Sequence, residues 1–301
     1  MANLYSQAES NVRRTWFLIT VFLLLVIALG WLFSYILDNQ IILYIAVIFS
    51  VLTSISSYWF SDKLVLTMTN AYPVKKEDNP QLYRLVENIC ITAGLPLPKI
   101  YVLDEEQPNA FATGRDEKHA VIAVTRGLLE KLQRVELEGV IAHELSHVKN
   151  RDTLLQTAIV VLVGIIAVLS NIFLRIGFRR RGSNDRDSSP ALAILGIVAA
   201  ILAPLTANLI KLALSRQREF LADASGALLT RYPEGLASAL EKIASDEHEL
   251  SKASPATAHL FIASPFREGE EGYSWAAKLF MTHPPVEERV KALLGMRMPE
   301  E

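Results

Sequence analysis

His143-Glu144-Leu145-Ser146-His147 is the stretch of this sequence best equipped to do chemistry. Two histidines four apart share one face of a helix, so both imidazoles can reach a single ion at about 2.0 to 2.1 Å. The glutamate between them, one position round, stands beside that ion. A divalent cation there acidifies water toward a pKa of about 7, and the adjacent carboxylate takes the proton as hydroxide forms. That is the machinery of amide hydrolysis. With six histidines in 301 residues, an HExxH arises by chance in about one such chain in a hundred. The competing reading of these residues is a solvated polar helix face.

A catalytic zinc takes three protein ligands and keeps one position open. The third is sought in Ser215-Arg216-Gln217-Arg218-Glu219-Phe220-Leu221-Ala222-Asp223, an ExxxD on a helix. Glu219 completes a His2Glu set there. Asp223, one turn on, can accept a hydrogen bond from the outer nitrogen of a ligating histidine and so fix its tautomer. Without the HExxH, Glu219 and Asp223 would read as an ordinary exposed acidic pair. Asp152, five residues beyond His147, is assigned with Asp223 to the carboxylates that surround the ligands.

The elements that must carry these side chains follow from apolar patterning. Mean hydropathy is +0.26 and 51% of residues are hydrophobic, concentrated in four runs. Trp16 to Leu37 and Ile41 to Phe60 are each long enough at 1.5 Å per residue to cross a ~30 Å hydrocarbon core, with a tight turn at Asp38 between them. Thr153 to Phe173 and Ala191 to Ile210 form a second pair. Arg13, Arg14 and Lys63 flank the first pair, which puts both of its outer ends in the cytoplasm. Arg175, Arg179, Arg180, Arg181 and Arg186, between the third and fourth runs, conflict with that rule. Either this basic loop is an exception or the second pair is a shallow hairpin; spanning is the favoured reading. The motif then lies about 9 Å of helix before the third run and Glu219 about 14 Å after the fourth, so both ligand sets emerge on one side.

The expected division is a membrane hairpin (1–61), a first protease stretch with the HExxH (62–152), a second hairpin (153–214) and a second protease stretch (215–301). In the first stretch Asn79-Pro80 opens a helix that Gly94 ends. Lys99 to Leu103, Asn109 to Thr113 and His119 to Thr125 read as strands of a small antiparallel sheet, and the pattern turns helical from about Arg134. Pro284-Pro285 opens a last helix through Leu294. The fold class is α+β and mostly helical. A net charge of −2 and a pI near 6.3 argue against nucleic acid as a partner. The single cysteine, Cys90, excludes an internal disulfide framework and a cysteine-based zinc site. It falls on the apolar stripe of Leu82, Leu85, Val86 and Ile89 and reads as a buried, inert thiol.

Taken together, the HExxH continuing to Asn150-Arg151-Asp152, the Glu219-to-Asp223 element, Pro108-Asn109-Ala110-Phe111-Ala112-Thr113-Gly114 and Thr282-His283-Pro284-Pro285 resemble the HtpX-type membrane zinc endopeptidases, relatives of the CAAX prenyl proteases. The resemblance covers nearly the whole chain. It implies a gluzincin-type fold on four transmembrane helices and one Zn2+ held by His143, His147 and Glu219, with Glu144 as base. It also implies ATP-independent cleavage of damaged membrane proteins under stress, in the cell (inner) membrane, with the active site facing the cytoplasm. His283 is similar to the histidine that reaches the oxyanion in such proteases, and Asn109, Ala110, Phe111 and Ala112 to the strand that receives substrate by edge pairing. As a lone residue, His283 reads as a helix-start histidine. Two rival readings stand beside this one: a selective processing protease of the prenyl type, which carries more membrane helices, and a zinc-binding membrane sensor without turnover, which has no use for Glu144. A His2Glu set does not itself select zinc over other divalent ions.

Overall fold

The structure is a computed structural model that describes residues 4–36, 38–180, 215–248, 257, 260–262 and 284–296. Helices α1 (Leu4–Ile36) and α2 (Ile41–Trp59) form the expected hairpin. Both contain a span long and apolar enough to cross a bilayer, Ala8–Tyr35 and Ile41–Trp59. Their outer faces expose Trp31, Ile45, Ile48 and Leu52, which lipid tails would cover. At one end Trp16 stacks on Tyr58 at 5.1 Å between ring centroids, Trp59 meets Tyr58 edge-on, and Arg115 sits 4.7 Å over the Trp59 ring. Aromatic rings beside a cation are typical of a headgroup level.

After a short α3 (Ser61–Thr69), the chain enters a four-stranded sheet of β1 (Tyr72–Pro73), β2 (Lys99–Leu103), β3 (Ala110–Thr113) and β4 (Val121–Thr125). The sheet is mixed, which corrects the antiparallel expectation: the order is β1-β2-β4-β3, with β2 and β4 parallel and β3 antiparallel on the outer side of β4. The cause is the link 104–109, which crosses the end of β4 before β3 begins. Asn109 N–H donates to Thr125 Oγ1 at 2.8 Å and Gly127 N–H to the Glu105 carbonyl at 3.0 Å. A Cβ at Gly127 would fall 1.7 Å from the Glu106 carbonyl oxygen, so only glycine admits that crossing. Residues 117–119 form a 3-10 turn rather than the start of β4.

Helix α4 (Pro80–Ala93) begins where Asn79 caps the Leu82 N–H and ends at Gly94 with φ +69°. Its apolar stripe packs on α6 (Arg134–Lys149), which follows the short α5 (Arg126–Lys131). Cys90 is buried on that stripe, and burial, with Glu87 adding, pushes its thiol up to about 11. Helix α7 (Asp152–Arg180) takes in the third apolar run. Its first half is wholly interior: Leu155, Ile159, Leu162 and Val163 pack against Leu18, Phe22 and Val26 of α1. The fourth apolar run lies outside the described residues.

Three further helices, α8 (Arg216–Thr230), α9 (Pro233–Ala244) and α10 (Val286–Leu294), close over α6. Leu236, Ala239 and Leu240 of α9 and Val290 and Leu293 of α10 join Val140, Ile141 and Leu145 of α6 in one core. Glu136, in the first turn of α6, accepts from the Gln133 N–H, Ser238 Oγ and Lys242 Nζ at 2.6 to 2.8 Å. Helix α6 is therefore pinned at its start and packed on every side, which holds its last turns steady.

Candidate active site

Every residue of α6 from Gly139 to Val148 is buried. Polar side chains pay a desolvation cost there unless something pairs them. His143 and His147 point together, with their Nε2 atoms 3.2 Å apart and the rings at 89°. Glu219 reaches in from α8: its Oε1 lies 3.5 Å from His147 Nε2 and its Oε2 3.9 Å from His143 Nε2. Such closeness needs α8 to press on the α6 backbone. Gly226, two turns beyond Glu219, permits it, because a Cβ there would sit 2.9 Å from the His143 backbone nitrogen.

Both outer nitrogens face carboxylates. His147 Nδ1 is 3.1 Å from Asp152 Oδ2. His143 Nδ1 is 2.9 Å from Asp223 Oδ1, close enough for an ion pair but off the line of a hydrogen bond. Behind Asp223 stands Arg289 of α10, 1% exposed, whose Nε and second guanidinium nitrogen bind the two carboxylate oxygens at 2.8 and 2.7 Å. Its third nitrogen lies 3.3 Å from the Ile262 carbonyl and 3.8 Å from Glu219. Behind Asp152 stand Asn11 of α1, 2.7 Å from Oδ1, and Arg218 of α8, 3.4 Å from the same oxygen.

Burial raises the Glu144 carboxyl to about 7, with His147 and Arg289 opposing and Glu219 assisting. The Ala112 N–H of β3 faces that carboxylate and favours its charged form. Burial opposes charge on His147, but the bond to Asp152 and the charges of Glu219, Asp152 and Glu144 lift it to about 9. Burial lowers His143, and Asp223 offsets that only in part. Burial would raise Asp223, but the Arg289 guanidinium holds it down at about 2.

The donor set fits a divalent cation. Two ligands at 2.0 to 2.1 Å in a tetrahedral site stand about 3.3 Å apart, close to the separation of the two Nε2 atoms. One ligand atom from each of His143, His147 and Glu219 lies within 4.8 Å of the others. Among the described residues, four buried carboxylates, Glu144, Asp152, Glu219 and Asp223, line the site with two buried guanidiniums, Arg218 and Arg289. An ion bound there requires neutral imidazoles, so it would take over the positive charge that a proton on His147 otherwise supplies among these carboxylates.

The structure thus brings together His143, Glu144, His147, Glu219, Asp223 and Asp152. His283 lies outside the described residues. Asn109, Ala110, Phe111 and Ala112 are all buried; β3 is the sheet edge beside Glu144, and the Ile262 N–H already binds the Ala110 carbonyl at 3.0 Å. His119 and His248 are exposed and pair with Asp116 and Asp246; His259 lies outside the described residues. Sequence reasoning missed Arg289, Arg218 and Asn11. Arg289 had a readable signal, since it sits on the stripe of Val286, Val290 and Leu293, where an arginine requires a buried counter-charge.

A carboxylate and two imidazoles on one helical turn, joined by a carboxylate from a second buried helix, make up the arrangement of a metallopeptidase. The chain belongs to peptidase family M48, whose profile matches residues 76–297. It is 44% identical over 304 residues to the Protease HtpX homolog of Thermoanaerobacter pseudethanolicus, covering 98% of each chain. To the Protease HtpX homolog of Caldanaerobacter subterraneus subsp. tengcongensis it is 46% identical over 301 residues, covering 97% of this chain and 98% of that one. The Protease HtpX homolog of Pyrococcus furiosus is 47% identical over 267 residues, 88% of this chain and 90% of its own. Among solved structures, S. mikatae Ste24p aligns over 97% of this chain and 67% of its own, at 19% identity and a TM-score of 0.48. The protein is a membrane metalloendopeptidase acting on polypeptides, from a family that is zinc-dependent in general.

Proposed function

We propose that this chain is an integral-membrane zinc endopeptidase that cuts misfolded or damaged membrane proteins, with its active site on the cytoplasmic side of the cell (inner) membrane. The membrane anchor comprises 1–61 and 153–214, and the protease unit is assembled from 62–152 and 215–301. His143, His147 and Glu219 hold Zn2+, one per chain. The observation that carries this reading is the convergence of those three donors, within 4.8 Å of one another, beside a buried carboxylate on the same helix.

When bound, zinc supplies Lewis acidity, polarising the scissile carbonyl and acidifying water. Glu144 takes the proton of the attacking water and returns it to the departing amine nitrogen, so the C–N bond breaks as water is added across it. Its carboxyl, lifted to about 7 by burial, suits a group that must both accept and release a proton near neutrality. A nearby cation would pull that value down and keep the base ionised. Asp152 and Asp223 orient the imidazoles by facing their Nδ1 atoms. His283 donates to the developing oxyanion, a contact made only as charge builds. The peptide adds as a strand along β3, from Asn109 to Ala112, displacing the Ile262 N–H from the Ala110 carbonyl, and is placed against Glu144 by that edge.

Glu144→Gln tests the assignment. The variant should retain one zinc per chain by metal analysis and lose casein hydrolysis, by about a thousandfold or more, because proton transfer is missing and positioning remains. Casein hydrolysis at the wild-type rate would defeat it.

A further inference from the structure

Asn11 lies at the start of a membrane helix, 2% exposed, where no substrate or lipid reaches it. Its side-chain amide has two hydrogens and one oxygen, and all are engaged. Nδ2 donates to Asp152 Oδ1 at 2.7 Å and to the Asn150 carbonyl at 3.0 Å, while Oδ1 accepts from Arg218 at 3.5 Å. The three partners flank the segments that carry the proposed ligands: Asn150 caps the end of α6, Asp152 opens α7 directly after it, and Arg218 of α8 immediately precedes Glu219. Asp152 in turn uses its other oxygen to face His147 Nδ1 at 3.1 Å. One amide thus ties together α1, the α6–α7 junction and the start of α8.

We propose that Asn11 is a positioning residue of the metal site, coupling the first membrane helix to both ligand-bearing helices. This rests on the metal reading above and extends it to a residue remote in sequence from every ligand, Asn11 and its partner Asp152 being 141 apart. Asp152 makes two kinds of contact through two oxygens, so its carboxylate plane is set by Asn11 on one side and offered to His147 on the other. Removing the amide frees that plane to rotate and leaves Oδ1 with Arg218 alone. The guanidinium then swings toward Asp152 and draws the Glu219 end of α8 with it. The first hairpin is accordingly part of what shapes the site, and anchoring is not its sole task.

The test uses the full chain, purified in detergent and loaded with zinc. Asn11→Leu keeps the volume and removes the polar atoms; Asn11→Ala removes them without risk of overpacking. Leu18→Ala, which thins the α1–α7 contact and touches no polar group, is the control. Three quantities are read: the rate of zinc transfer to a chelator, kcat and KM on casein, and Tm of the zinc-free forms. Loss of a direct carboxylate partner of a ligating histidine weakens metal sites about 10–100-fold. One bond further out, both Asn11 variants should release zinc about tenfold faster and lose kcat with KM unchanged. Their zinc-free Tm should fall no further than that of Leu18→Ala, whose zinc release stays at the wild-type rate. Wild-type zinc release and kcat in both Asn11 variants would overturn the proposal. So would zinc loss that merely tracks the drop in Tm across all three variants. A wild-type protein that retains no zinc would be a different failure, overturning the metal reading itself.

Discussion

His143 and His147 lie one turn apart on the same helix, and each turns Nδ1 toward an aspartate, yet the groups behind the two aspartates differ. Asp223 is clamped at both oxygens by Arg289 of the C-terminal helix α10. Asp152 is held by a neutral amide, Asn11, and by Arg218 at 3.4 Å. The consequence is electrostatic. Burial lowers His143, with Asp223 offsetting it in part and the His147 and Arg289 charges adding to it, whereas the bond to Asp152 and the charges of Glu219, Asp152 and Glu144 lift His147 to about 9 despite burial. The two imidazoles on one helical turn thus stand in different charge balances. One arm depends on the soluble helices and the other on the membrane hairpin.

The largest effect is expected from breaking the charged arm. Asp223→Ala leaves the Arg289 guanidinium buried, with Glu219 at 3.8 Å as its nearest carboxylate. Uncompensated burial of that kind costs about 3–5 kcal/mol, and zinc affinity should fall about 10–100-fold as His143 loses its outer partner. Thermal unfolding and chelator competition measure the two. Adding Arg289→Met to Asp223→Leu separates them, because removing both charges should restore most of the stability and none of the zinc affinity. Full zinc affinity in the double variant would show that the pair serves packing alone.

Asp152→Asn breaks the other arm, and less should follow. The amide keeps an oxygen for Asn11 or for His147, and Arg218 retains an interaction with Glu219. Unfolding should shift by no more than about 2 kcal/mol, as for one altered buried hydrogen bond, and zinc affinity should fall about tenfold. A stability loss equal to that of Asp223→Ala would erase the asymmetry.

How far these arms were legible in the sequence follows from the range of each interaction. His143, Glu144 and His147 are local to one helical turn, so spacing suffices. Glu219 and Asp223 announce themselves as ExxxD after an apolar run, again within one helix. Arg289 carried a weaker sign, its place on an apolar stripe. Asn11 carried none, since one asparagine before a membrane run looks like any other and its partners are 139 and 141 residues away. The sheet was misread for the same reason: the crossing of 104–109 past Gly127 is a contact between backbones, with no periodicity to betray it. Hydropathy likewise cannot distinguish α1, whose apolar residues largely face outward, from the first half of α7, whose residues are buried against α1.

Gly226→Ala should give the smallest effect and the sharpest check, because it moves Glu219, the carboxylate that faces both histidines. Replacing glycine inside a helix favours the helical state by about 1 kcal/mol. The new Cβ would lie 2.9 Å from the His143 nitrogen and 3.2 Å from the Ala142 carbonyl carbon, an overlap of backbone that costs about 1–3 kcal/mol. The two nearly cancel, so Tm should change little, while α8 shifts outward by a few tenths of an ångström. Glu219 then retreats from His143 and His147 together, and zinc should bind a fewfold more weakly. Combined with Asp223→Ala or with Asp152→Asn in double-mutant cycles, Gly226→Ala should couple more strongly to Asp223→Ala, whose residue rides on α8, than to Asp152→Asn, which α8 reaches only through Arg218. Wild-type zinc affinity in Gly226→Ala would show that α8 does not set the distance of Glu219 from the two histidines.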